Sequence, residues 1–250
     1  MEPEPQPETA SALVCGTALS TTATELNLTG VRADDRAAFS ALPELVNLRT
    51  LILSNSRFSD EGWAELMTAL RECPRLARLE MASCGLGPKH AGDLADFLSD
   101  ATQFTASLTS LCCGSNPGMV GELNEYGRLQ TPDAHIEALQ QLLDALKPSA
   151  VTDLDISGIG IGATGAGRVA DYVRDAKASL ALVNIAFNKI GAEGGVALVE
   201  ALKTSSVKFL GIGKQFQSTD DTLITRSLVQ TGVNLKGSTH QRCSVPLTRP

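Results

Sequence analysis

Aromatic side chains are scarce in this chain, with one Trp, two Tyr and seven Phe among 250 residues. Hydrophobic residues still make up 43%, so a core can be built, but from Leu, Ile, Val and Ala rather than from rings. Basic charge is also short. Twenty-one Lys and Arg stand against 28 Asp and Glu, for a net charge of −7, and a pI near 5.0 argues against the basic stripe that a nucleic-acid surface needs. No apolar run approaches the roughly 20 residues that span a bilayer, so membrane insertion is not expected. There is no Cys-x-x-Cys pair. The cysteines are Cys15, Cys73, Cys84, Cys112, Cys113 and Cys243, and the adjacency of Cys112 and Cys113 suits neither a zinc site nor an ordinary disulfide. They read as reduced thiols in a cytoplasmic protein. Residues 1–10, "MEPEPQPETA", are acidic and Pro-rich, the opposite of a secretory or mitochondrial targeting segment. They read as a disordered tail.

What the chain does have is self-similarity. Residues 180–188, "LALVNIAFN", place Leu180, Val183, Ile185 and Asn188 in four slots. The same slots hold Leu48, Leu51, Leu53 and Ser56; Leu76, Leu79, Met81 and Cys84; Leu108, Leu111, Cys113 and Asn116; Val151, Leu154, Ile156 and Ile159; and Val207, Leu210, Ile212 and Gln215. A weaker first copy has Ala23, Leu26, Leu28 and Val31. The second slots are then Leu26, Leu51, Leu79, Leu111, Leu154, Val183 and Leu210, in steps of 25, 28, 32, 43, 29 and 27 residues. One step is long; the rest follow a period of about 28. After the strand, Phe58-Ser59-Asp60-Glu61-Gly62 matches Ile161-Gly162-Ala163-Thr164-Gly165 and Ile190-Gly191-Ala192-Glu193-Gly194. A helical stripe follows, as in Trp63, Leu66, Met67 and Leu70 or Ala91, Leu94, Ala95 and Leu98, spaced i, i+3, i+4, i+7. One such unit cannot bury its own apolar side, whereas stacked units share a continuous core. An Asn at the strand exit turns inward, where its amide pairs with backbone groups of its own turn and of the neighbouring coil. Ile159 and Val31 lack such an amide.

The pattern L-x-x-L-x-L-x-x-N/C-x-L-G-x-x-G followed by a helix resembles the leucine-rich repeats of the ribonuclease-inhibitor type over roughly residues 23 to 230. The resemblance implies an α/β solenoid of about seven repeats, with parallel strands on the concave face and helices on the convex face. It places the repeat domain at 11–232, with a helical cap at 11–26, where Ala18-Leu19 maps onto Ala201-Leu202, and a tail or second cap at 233–250. Chains of this kind serve as subunits of larger assemblies, cytoskeletal and ciliary ones included. The same repeat type also occurs in GTPase-activating proteins for Ran-like small GTPases, although no long acidic C-terminal segment is present.

A different motif competes in the fifth copy. Gly160-x-Gly162-x-x-Gly165 has the letters of a dinucleotide-binding turn between a strand and a helix. Repeat register already demands Gly162 and Gly165, which align with Gly191 and Gly194; only Gly160 is extra. The next strand ends at Asn188 rather than at an acid suited to a ribose. Catalysis would need convergent titratable groups, and His90, His135 and His240 have no carboxylate or Cys partner at metal-ligand spacing. No enzyme activity, metal, cofactor or small-molecule substrate is expected; the expected partner is protein.

Strand alternation lists the concave residues as those flanking each second slot: Glu25 and Asn27, Thr50 and Ile52, Arg78 and Glu80, Ser110 and Cys112, Asp153 and Asp155, Leu182 and Asn184, Phe209 and Gly211. Asp153 and Asp155 form an acidic spot read as a recognition patch. Leu182 and Phe209, with Phe187 nearby, form either an exposed apolar hot spot or the cover of the last coil. The long step carries an insertion at 117–133, "PGMVGELNEYGRLQTPD". Its Met119, Leu123, Tyr126 and Leu129 either anchor a partner or fold back on their own repeat, and Pro132 opens the helix that follows. Trp63 is expected to pack on a convex helix.

Overall fold

The computed structural model describes residues 11–33, 38–100, 106–175, 180–212 and 234–236. The chain opens with an antiparallel hairpin, β1 (Ser11–Val14) against β2 (Thr17–Ser20). This replaces the helical cap expected there. The reason is local: Cys15 and Gly16 both take positive φ, 47° and 74°, which is the backbone of a two-residue hairpin turn. The flanking segments Ser-Ala-Leu-Val and Thr-Ala-Leu-Ser then pair in register. The hairpin is anchored where the Cys15 backbone N–H donates to the Ala38 carbonyl at 2.8 Å, and Val14 is fully buried.

The repeats follow as expected. Strands β3 (Glu25–Asn27), β5 (Thr50–Ile52) and β7 (Arg78–Glu80) are followed by β8 (Ser110–Cys112), β11 (Asp153–Asp155), β12 (Leu182–Asn184) and β13 (Phe209–Gly211). Each is centred on one of the second slots, and each central side chain is buried. All pair in parallel in sequence order, Leu26 beside Leu51, Leu79, Leu111, Leu154, Val183 and Leu210. An eighth strand, β14 (Asn234–Lys236), adds parallel to β13, so the stretch expected to be a tail or cap continues the sheet. Among the described residues, short strands β4 (Arg32–Ala33) and β6 (Arg57–Phe58) pair beside the turns.

The convex side carries α1 (Asp60–Arg71), α2 (Pro88–Ser99), α3 (Ile136–Leu146), α4 (Ala163–Asp175) and α5 (Gly191–Leu202). The fold is the α/β leucine-rich-repeat solenoid. Helix starts have identifiable partners. Ser59 caps α1 by accepting from the Gly62 N–H at 3.0 Å, with Asp60 and Glu61 in the first turn facing the positive end of the helix dipole. At α2, His90 Nδ1 accepts from the Gly87 N–H at 3.0 Å, and burial lowers the His90 pKa, keeping that nitrogen free to accept. Trp63 is buried on α1, its indole N–H donating to Asp93 of α2 at 3.1 Å.

The inward turn residues bind the coils together. Asn188 Oδ1 accepts from the N–H groups of Ile159, Gly160 and Ile161 at 3.0–3.1 Å, and its Nδ2 donates to the carbonyls of Ile156 and Ile185 at 2.9 Å. Asn116 donates likewise to Met81 and Cys113 and accepts from Leu86. Ser56 and Cys84 manage the single reach back to Leu28 and Leu53. Ile159, which has no polar group, is served from the next coil by Asn188. Cys15, Cys73, Cys84 and Cys113 are free thiols; Cys112 is disulfide-bonded, which corrects the expectation of a reduced thiol at that position.

Candidate interaction surface

The insertion is built, not slack. Its first part folds inward: Met119 and Val120 are buried in the core. Met119 is therefore no partner anchor, because an interior side chain in van der Waals contact on all sides offers nothing to a docking surface. The middle forms a hairpin, β9 (Glu122–Leu123) against β10 (Leu129–Thr131). Its loop is tied by Asn124, whose Oδ1 accepts from the N–H groups of Tyr126 and Arg128, both at 3.0 Å. The Asn124 N–H donates to the Arg128 carbonyl at 2.9 Å, and Gly127 turns the chain at φ +70°. Tyr126 stands 77% exposed at the tip and Leu123 38% exposed beneath it. Leu129 is half-buried against the base.

The last part of the insertion reaches into the following coil. Asp133, at φ +59°, accepts from the Gly162 N–H at 2.7 Å and from the Gly165 N–H at 3.0 Å. Its carboxylate thereby caps α4. A Cβ on Gly162 would meet Asp133 Oδ2 at 2.6 Å, and one on Gly165 would collide with Oδ1. Gly160, at φ +96°, lies against Pro117 and Gly121, whose carbonyl and backbone leave no room for a side chain. All three glycines of the G-x-G-x-x-G letters thus serve the seating of the insertion. A phosphate at this helix start would have to displace a carboxylate of the protein itself.

One turn position recurs in left-handed backbone, immediately before each inward residue: Gly30, Asn55, Ser83, Ser115, Gly158 and Phe187, with φ between 57° and 79°. Gly, Asn and Ser are ordinary there; a bulky Phe is an outlier. Phe187 is also 59% exposed. It lies against the turn of the preceding coil, its Cβ 3.6 Å from where a Cβ on Gly158 would stand. Sequence reasoning singled out Phe187 for its size but could not see its backbone.

The other expected site residues lie along the strands. Asp153, Leu182 and Phe209 are register neighbours, as are Asp155, Asn184 and Gly211. All are half-buried. Asp155 is more committed than a solvated patch implies: Oδ1 accepts from the Ser157 N–H and Oδ2 from the Asn184 side chain, both at 2.9 Å. Leu182 and Phe209 adjoin each other, while Phe187 sits past the strand on the turn rim, so the expected apolar trio is split over two rows.

Among the described residues, no cluster of three His, Cys, Asp or Glu side chains is placed to hold a metal ion, and no helix is long and apolar enough to cross a membrane. A sequence family described as leucine-rich repeat matches residues 178–199. No curated protein matches the chain. Among solved structures, an internalin from Listeria monocytogenes is similar at 14% identity over 91% of this chain and 86% of that one, with a TM-score of 0.25.

Proposed function

We propose that this chain is a non-enzymatic protein-interaction scaffold, a subunit of a larger intracellular assembly, cytoskeletal or ciliary by analogy with the chains it resembles. Leucine-rich repeats are interaction modules, and the observation that carries the reading here is the insertion. It is held by core burial of Met119, by the Asn124 loop bonds and by the Asp133 cap, yet it presents Tyr126 and Leu123 to solvent. A rigid element that exposes an aromatic side chain loses little entropy on docking, which favours binding.

The test is a cross-linked pull-down from native lysate with wild type and a Leu123→Ser, Tyr126→Ala double variant, which leaves Met119 and Asp133 in place. The expected result is a stoichiometric partner retained by wild type and lost by the variant. A wild type that recovers no partner but accelerates nucleotide hydrolysis by a Ran-like small GTPase overturns the scaffold reading in favour of a GTPase-activating protein.

A further inference from the structure

We infer that the concave face is a docking surface for the chain's own segment 237–250, joined to it by a disulfide between Cys112 and Cys243. The inference goes beyond the scaffold reading and does not depend on it. It starts from a contrast within one row of side chains. Ile52, Glu80 and Cys112 are register neighbours on β5, β7 and β8, and they are 5%, 2% and 4% exposed. The same row continues as Asp155, Asn184 and Gly211, which are half-buried, and begins at Asn27, which is exposed. On the same three strands the parallel row, Thr50, Arg78 and Ser110, also keeps contact with solvent. The cover is therefore narrow and crosses three strands, the footprint of a single extended segment.

Cys112 names that segment. It is disulfide-bonded, while Cys15, Cys73, Cys84 and Cys113 are free thiols, so of the six cysteines in the chain Cys243 is left as its partner. The reach agrees. Lys236, on β14, stands in the same row as Cys112, four strand spacings away, which is about 19 Å. The seven residues from Lys236 to Cys243 extend to about 23 Å. Beyond Cys243, Glu80 and Ile52 lie about 5 and 10 Å further along the row, within reach of Val245, Leu247 and Arg249. Charge agrees as well. Segment 237–250 carries His240, Arg242 and Arg249 and no acid, and the face beneath it carries Glu80, Asp153 and Asp155 against Arg78, which pairs with Glu80 at 3.3 Å. A basic segment suits such a face. The bond forms by exchange with a small disulfide such as oxidised glutathione: two protein thiols become one disulfide, and their two protons and two electrons leave on two glutathione thiols.

The experiment equilibrates the full chain with oxidised and reduced glutathione, alkylates it, and maps tryptic peptides without reduction. The expected result is the Cys112 peptide joined to the Cys243 peptide. Because Cys113 shares the peptide of Cys112, the link should survive Cys113→Ala and vanish in Cys112→Ser. A Cys112 that is alkylated in the oxidised chain, or a Cys243 joined to any other cysteine, overturns the bond. The cover is tested apart from the bond in full-length Cys243→Ala, which frees the Cys112 thiol. Adding Arg242→Glu and Arg249→Glu should make Cys112 react with a maleimide about tenfold faster, because like charges on Glu80 and Asp155 now repel the segment; melting curves show that each variant is folded. Equal rates overturn the cover even where the link forms. Failure of the scaffold reading is seen separately, in the lysate pull-down.

Discussion

The carboxylate of Asp133 and the backbone N–H of Gly162 meet at 2.7 Å, although Asp133 belongs to the insertion of one coil and Gly162 to the helix start of the next. The pair converts what reads as a cofactor turn into an internal fastener. Its neighbours enforce the same geometry, because Gly165 donates to the other carboxylate oxygen at 3.0 Å.

Removing the fastener should loosen the insertion and uncap α4 together. Asp133→Asn keeps a residue tolerant of left-handed backbone but loses the charge and one acceptor. It is expected to cost about 1–2 kcal/mol, read as a shift of the urea midpoint. Proteolytic cleavage near Tyr126 should rise in the same variant. An unchanged midpoint would show that the cap is redundant.

The inward turn residues should rank by how many groups they satisfy. Asn188→Ala strands the buried N–H groups of Ile159, Gly160 and Ile161, so a loss of about 3–5 kcal/mol is expected. Ser56→Ala, which removes a single bond to Leu28, should cost about 1 kcal/mol. Denaturant melts of the two variants side by side give the comparison; equal losses would refute it.

At the centre of the sheet, Leu154→Ala removes a fully buried side chain and should cost about 2–5 kcal/mol. A loss under about 1 kcal/mol would mean that the side chain has less buried contact than its place between Leu111 and Val183 requires.

Phe187 predicts the opposite sign. Phe187→Gly exchanges an exposed ring in left-handed backbone for the residue that occupies the same turn position as Gly30 and Gly158. A gain of about 0.5–1 kcal/mol is expected, visible as a higher melting temperature. A destabilised variant would mean that the ring contributes packing after all.

Alkali should weaken the fold through its buried thiols. Burial pushes Cys73 up to about 12 and Cys84 up to about 11 from an ordinary 9.0, and raises Cys113 as well; Tyr172 moves the same way, from 10.0 to about 12. The unfolded chain therefore releases protons at lower pH than the folded one. Stability is fully present below pH 9 and falls as pH rises toward 11 to 12. Melting temperatures between pH 8 and 10.5 test this, and a Cys73→Ala, Cys84→Ala variant should show a shallower slope.

The strands and their register were legible because one apolar slot recurs in every coil, and Leu51, Leu79, Leu111, Leu154 and Val183 leave no freedom to slip; the burial of Ile52, Glu80 and Cys112 beside those slots was not. The reach of Asn188 was legible too, since a buried amide must find partners. Other features had no such signal. The turn at Cys15-Gly16 was hidden by a segment that also maps onto a helix end. The strand Asn234–Lys236 carries one apolar residue where the pattern needs several. Asp133 acts on glycines 29 and 32 residues away, a relation no local spacing reveals. Phe187 was misleading in its own way: turn chemistry looks for Gly, Asn or Ser at left-handed positions, and a ring there gives no warning.

With Pro117, Gly121 and Asp133 of one coil lodged against Gly160, Gly162 and Gly165 of the next, these two coils are interlocked as a single unit. Repeat arrays evolve by duplicating or deleting one unit at a time. Here a break between the fourth and fifth units would leave a carboxylate without donors on one side and an uncapped helix on the other. Lineages of this chain are expected to lengthen or shorten at its ends and to keep that junction whole.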